Sequence, residues 1–333
     1  MRTGDPPAES RRPRVRHARR LAPLLQVAVR TDADPIGIAE KWSTALTPAA
    51  VQTLTSLSGF HRVDAFLAPV LGATSTPVPE VVQTRVMHAA ARHLQALSDI
   101  SVLSECFGSG QIGWALLKGP VLATNVYASP TQRPYGDIDV LVDPADLERA
   151  VGLLRDVDAR TIDRNWELMA RDGRGQLHLR LPAGTLLDLH WSLLNAGQVR
   201  GRFQVSTTSL LDRTMEVSVG PKVSVPSLSS SDLLAHLALH GALSGGHQLI
   251  WLVDIDRVIR TYEIDWEGFT ALVTQWHARA AIGAMLERAY RCLNTPVPAS
   301  VRDSLVSTRV RAFTSSLDCA SPVGSAISDG STA

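Results

Sequence analysis

Asp137 and Asp139 flank Ile138 in the run Gly136-Asp137-Ile138-Asp139-Val140-Leu141-Val142. Alternate residues of a strand share a face, so the two carboxylates converge while Ile138 and Val140 turn the other way. Two anions so placed repel unless water screens them or a cation sits between them. Hard divalent ions such as Mg2+, or Mn2+ in its place, take carboxylate oxygens and complete their shell with phosphate oxygens and water. The spacing therefore outlines metal-dependent phosphoryl transfer, although a solvated strand edge produces the same Asp-x-Asp pattern.

Two further groups fit that chemistry. Leu117-Lys118-Gly119 falls at an expected strand-to-helix junction, where free backbone amides can receive phosphate, and Lys118 is one of three lysines among 33 basic residues. Arg133, just before the acidic run, either clamps a phosphate bidentately or anchors its own loop. Downstream, Asp188 and His190 share a face of a second expected strand in Leu187-Asp188-Leu189-His190-Trp191. On its own, Asp188 is a strand-edge carboxylate that an arginine can partner. His190 is a candidate phosphate contact, a support for Asp188, or a core-edge histidine.

Other spacings carry less. His236 and His240 stand four apart on an expected helix, but Leu237 follows His236 where a zinc protease would have glutamate, so a packed helix face with one substrate-facing histidine is expected. Asp254 and Asp256 sit two apart on a helix, point in different directions and make no metal pair. Trp251, Trp266 and Trp276 recur among aliphatic residues and are assigned to core packing.

The set Leu117-Lys118-Gly119, Arg133-Pro134, Gly136-Asp137-Ile138-Asp139 and Leu187-Asp188-Leu189-His190-Trp191 resembles an uncharacterised nucleotidyltransferase family of the kind found beside lasso-peptide biosynthesis genes. The stretches Leu234-Ala235-His236-Leu237-Ala238-Leu239-His240 and Leu252-Val253-Asp254-Ile255 resemble its helical half, and the likeness covers residues 80–295. That family is in turn similar to the polymerase-β-like nucleotidyltransferases, whose pattern is a glycine turn, an Asp-x-Asp strand and a third carboxylate on a neighbouring strand. Here Pro120 follows Gly119 where a small residue is usual, and the interval to Asp137 is longer. The resemblance implies transfer of a nucleoside monophosphate from an NTP, ATP being the expected donor, to a hydroxyl on a small molecule, peptide or protein, with release of pyrophosphate. It implies Asp137, Asp139 and Asp188 as catalytic metal ligands, and Lys118, Gly119, Arg133, Gly136 and His190 as nucleotide contacts. The alternative is a catalytically silent binding module of the same fold, serving as antitoxin, adaptor or peptide-maturation partner.

The elements that must position these residues follow from texture. Residues 31–110 have apolar positions recurring at three and four, which predicts a helical region. Residues 111–226 alternate short apolar runs with helical stretches and Gly or Pro punctuation. There, strands are expected at 113–118 and 138–142, a helix opens at Pro120, Asp143-Pro144 caps another, and hairpins span 177–191 and 215–225. Residues 227–313 return to helical spacing, with helices at 233–243, 249–262, 266–277 and 280–293. The fold class expected is α+β, a small mixed-sheet core flanked by N- and C-terminal helical regions. Residues 1–30 and 314–333 are expected to be a basic and a Ser/Gly-rich disordered tail.

Bulk properties exclude several classes. The chain has 333 residues, of which 45% are hydrophobic and 20% charged, with a net charge of +1. No apolar run approaches the roughly 18 residues of a membrane span, and no secretory leader is expected. The three cysteines lack metal or disulfide spacing, which suits a soluble, reducing, cytoplasmic setting. Seven arginines crowd the first twenty residues, so the body is slightly acidic. That argues against broad nucleic-acid binding by the folded part.

Overall fold

The computed structural model describes residues 8–320 apart from 75, 164, 166–172 and 222. Lys222, and the ends of the two expected tails at 1–7 and 321–333, lie outside the described residues.

The chain opens with helices α1 (Ala8–Ala28), α2 (Pro35–Trp42), α3 (Pro48–His61), α4 (Asp64–Gly72) and the long α5 (Glu80–Ser109). The caps are those the sequence supplies. The Asp34 side chain accepts from the amides of Ile36 and Gly37, Thr47 accepts from Ala50, and Pro35 and Pro48 take the first helical positions. The strand-rich middle comprises β1 (Trp114–Leu116), α6 (Pro120–Asn125), β2 (Asp137–Val142), α7 (Leu147–Asp156), β3 (Arg160–Thr161), β4 (Gln176–Arg180), β5 (Leu186–His190), β6 (Met215–Gly220) and β7 (Val223–Ser227). Helices α8 (Ser230–Leu243), α9 (Leu249–Thr261), α10 (Trp266–Gln275), α11 (Arg279–Leu293), α12 (Ala299–Leu305) and α13 (Thr308–Ala320) follow.

The chain forms two compact units. One gathers residues 88–239 and 261–279, the other residues 1–87, 240–260 and 280–333. The first holds a seven-stranded mixed sheet in the order β3-β4-β5-β2-β1-β7-β6. At its centre β2 runs parallel to β5 and antiparallel to β1, while β4 and β5 form the expected hairpin and β6 and β7 the second. Two-residue alternation sorts the sheet. Trp114, Leu116, Ile138, Val140, Val142, Leu177, Leu179, Leu187 and Leu189 join a buried core with Ile100, Leu103 and Phe107 of α5 and Ala150, Val151 and Leu154 of α7. The polar residues of β2, β4 and β5 therefore share the opposite face.

The second unit is helical and corrects the expected tail over 1–30. Ala18, Leu21, Ala22, Leu24, Leu25, Ala28 and Val29 are buried, α1 packs against α3 and α4, and Arg257 Nη2 donates to the Val29 carbonyl at 2.9 Å. Beneath the arginines lies an apolar stripe at i, i+3, i+4 and i+7, enough to order the helix against neighbours. At the other end, the expected tail from 314 is likewise α13 as far as Ala320, with Thr314 buried. The expected division at 110 and 226 is also replaced, because segments distant in sequence share a core. No helix among the described residues is long and apolar enough to cross a membrane.

Candidate functional site

The register of β2 on β5 sets Asp139 beside Asp188 and Leu141 beside His190. Asp139, Asp188 and His190 each place one ligand atom within 4.8 Å of the others, the one such metal-competent group among the described residues. Asp139 is 3% exposed. Its Oδ1 accepts from His190 Nε2 at 3.1 Å and pairs with Lys118 Nζ at 3.1 Å. Its Oδ2 is buried with no hydrogen-bond partner, as is His190 Nδ1. A buried carboxylate oxygen left unpaired is costly, and a divalent cation is what a carboxylate–carboxylate–imidazole set can accept. The residues present thus fit a metal. Burial alone would raise the Asp139 carboxyl, but the Lys118 ammonium and the His190 hydrogen bond outweigh it and hold the group well below the usual carboxylate range.

Asp188 behaves oppositely. Burial, then the charges of Asp139 and Asp137, push its carboxyl upward, and the imidazoles of His178 and His190 offset only part of this. One carboxylate is held as an anion while its neighbour is made a better proton acceptor, which is how paired acids divide roles.

The turn that delivers Lys118 is built by backbone geometry. The Leu117 amide donates to the Asp139 carbonyl at 2.9 Å, extending the β1–β2 ladder to the residue before the lysine. Gly119 then takes φ +53°, a left-handed value that favours glycine, and Pro120 begins α6. Tyr135 lies against Gly119, and its hydroxyl hydrogen-bonds His93 Nδ1 on α5 at 2.8 Å.

The sequence-predicted residues are distributed as follows. Asp139 and Asp188 come together. Asp137 shares their face at the head of β2, half-buried beside Leu186, but stands outside the convergent group. His190, expected to touch nucleotide, is inside it. Geometry exchanges these two because the parallel register draws the end of β5, not the start of β2, over Asp139. Lys118 is engaged with Asp139 instead of facing open solvent. Arg133 is buried, and its Nη1 donates to the carbonyl of the adjacent Pro134 at 2.9 Å. Gly136 has open space where a Cβ would stand. His236 is buried, His240 meets Trp251 edge-on, and neither belongs to the metal-competent group. Asp256 is buried and paired with Arg260 and Arg257, and it accepts from Thr295 Oγ1.

Sequence reasoning missed Gln176, His178 and Asp163. Gln176 Nε2 donates to Asp188 Oδ2 at 3.1 Å, and His178 meets Asp163 through Nδ1 at 2.7 Å. Their signal was the Gln176-x-His178 alternation on the strand that pairs with Asp188-x-His190.

No curated protein matches the chain. A crystal structure described as an antigenic nucleotidyltransferase-like protein from Paracoccidioides brasiliensis is similar at 16% identity and a TM-score of 0.41, covering 67% of this chain and 97% of that one. Residues 17–294 match the model of a family described as uncharacterised nucleotidyltransferase, a span that holds β1 to β7 and the Asp139, Asp188, His190 cluster, and the chain belongs to that family.

Proposed function

We propose that this protein transfers a nucleoside monophosphate from an NTP to a hydroxyl acceptor and releases pyrophosphate. The observation that carries the reading is the convergence of Asp139, Asp188 and His190 on adjacent strands, with a buried Asp139 oxygen left for a cation. Asp139, Asp188 and His190 would hold Mg2+ or Mn2+, with Asp137 adjoining. The bound cation would supply electrostatic stabilisation of charge on the transferring phosphate.

The remaining work falls to side chains. Asp188, with its raised proton affinity, would accept the acceptor hydroxyl's proton. Lys118, already at the mouth of Asp139, would neutralise phosphate oxygens as a point charge. Gly119, with no side chain at the turn, would let a phosphate approach the backbone closely there. ATP is the expected donor, and the acceptor class is a small molecule, a peptide or a protein side chain; the association with lasso-peptide genes belongs to this proposal as well.

A silent binding module is favoured by one observation: the Lys118–Asp139 ion pair balances the buried charge without any metal. The two readings separate in one assay. Each α-labelled NTP is incubated with the full chain and Mg2+ or Mn2+, with candidate acceptors present, and pyrophosphate release is followed. Turnover that falls by orders of magnitude in folded Asp139→Asn supports the enzyme. Nucleotide binding with no pyrophosphate from any NTP supports the module.

A further inference from the structure

The face that carries Asp188 continues onto β4, and there the side chains make an arrangement the reading above does not use. Asp163 Oδ2 accepts the backbone N–H of His178 at 2.7 Å and also meets His178 Nδ1 at 2.7 Å. Two contacts to one oxygen pin both the carboxylate and the ring. With the Nδ1 proton directed at Asp163, the lone pair of the imidazole is on Nε2, and Nε2 faces Asp188 Oδ1 across 3.7 Å. In the neutral ring this sets a lone pair opposite a carboxylate oxygen, a pairing of two acceptors. Gln176 Nε2 relieves it, standing 2.9 Å from His178 Nε2 and 3.1 Å from Asp188 Oδ2. An electropositive amide thus marks the place between an imidazole and a carboxylate. Metal-binding histidines are characteristically backed in this way, their second nitrogen bonded to a carboxylate that fixes tautomer and orientation.

We propose that His178 Nε2 and Asp188 form a second divalent-cation position beside the Asp139, Asp188, His190 centre, with Asp163 as its orienting carboxylate. Reversal of the Gln176 amide turns its oxygen toward the ion and makes it a third donor. The position rests on the metal-dependent reading of the first centre, since the two share Asp188. Its chemistry differs from that of an all-oxygen site: imidazole favours ions of the Mn2+ to Zn2+ series over Mg2+, which prefers oxygen and water. It is also open to solvent. The side chains of His178 and Asp163 are 39% and 27% exposed, against 9% and 4% for His190 and Asp139, so an aqueous ion reaches it without disturbing the core.

The test uses the full chain and Mn2+ alone, without nucleotide. Titration calorimetry should find about two bound ions in the parent and about one in His178→Gln. Electron spin-echo modulation should show imidazole nitrogen on both ions in the parent, with one set lost in His178→Gln. Asp163→Asn, which keeps the ring but removes its anionic support, should weaken the second ion by roughly tenfold or more, and Mg2+ should not displace it at equal concentration. Circular dichroism shows that each variant is folded, and Asp163→Asn reads the same position should His178→Gln not fold. Two ions and unchanged nitrogen signals in His178→Gln would overturn the second position. So would a single parental ion that Asp139→Asn abolishes and His178→Gln leaves alone, a result under which the first centre stands. Absence of any bound Mn2+ would overturn both.

Discussion

Lys118, partly buried, pairs with the buried Asp139, and removal of the lysine strands the carboxylate. Lys118→Met should cost about 3 kcal/mol of folding stability at neutral pH, toward the low end for broken buried pairs because His190 still donates to Asp139. Adding Asp139→Asn should recover most of that loss, so denaturant melts of the two single variants and the double variant should show strong coupling. The pH dependence has a definite sign. A carboxyl depressed in the fold contributes stability above its unfolded value and loses it as pH falls through the folded value. Asp139 in the parent should therefore hold its contribution well below pH 4, and Lys118→Met should move acid unfolding to higher pH. His61 works at the other end of the range. Burial, and then repulsion from His247, lower its pKa from 6.5 to about 4, and its Nδ1 accepts the Leu249 amide at 3.2 Å. A base depressed in the fold favours the native state above the unfolded value and ceases to as pH falls, so about 3 kcal/mol should disappear between pH 6.5 and 4. His61→Asn keeps an acceptor but cannot protonate, and its denaturation midpoints at pH 7 and pH 5 should differ less than the parent's.

At the scale of elements, the β4–β5 hairpin is the part most exposed to small errors, since a one-residue slip of β5 would turn Asp188 and His190 to the wrong face. Asp99 on α5 guards against it. Buried at 1% exposure, it accepts the amides of Ala183 and Thr185 at 2.8 and 3.0 Å on either side of Gly184, whose φ is +100°. Two charge-assisted bonds of about 1.5–3 kcal/mol each are at stake. Asp99→Ala should destabilise by about 3 kcal/mol and reduce metal affinity at Asp188, measured by melts and by Mn2+ titration. A variant that melts lower but binds Mn2+ unchanged would show that the hairpin keeps its register unaided. β1, β2, the β6–β7 pair and this hairpin were legible in the sequence because alternation and Gly or Pro punctuation are local signals, whereas the two-residue β3 was not expected. The pairing of Asp139 with Asp188 was legible only through the family resemblance. The substitution of His190 for Asp137 in the convergent group was not legible, because strand-to-strand register is a property of neighbours far apart in the chain. α1 was obscured for a different reason. Arg11, Arg12, Arg14, Arg16, Arg19 and Arg20 dominate its composition, while the stripe from Ala18 to Val29 that buries it is carried by small and aliphatic residues.

At the scale of the molecule, α1 is structural. Leu24 and Leu25 are fully buried, so Leu24→Ala should cost about 2–5 kcal/mol, and deleting residues 1–30 should lower the melting temperature substantially. A truncated chain that melted cooperatively at the parental temperature would return that stretch to the status of a tail. No sequence pattern announced how the two units are assembled, since nothing local tells residues 240–260 and 280–333 to join 1–87 and not the sheet between them. That interleaving has a consequence for biosynthesis. A ribosome releases the first 87 residues long before the helices that complete their core, and in the interval it releases every strand of the sheet, residues 114–227. The sheet can close while its chain is still tethered. The early helices pack on one another, α1 against α3 and α4, but the bonds from Arg257 to the Val29 carbonyl and from the Leu249 amide to His61 form only once the later segment emerges. The N-terminal third of the nascent chain is therefore the natural client for a chaperone, and the part that aggregates first when synthesis stalls.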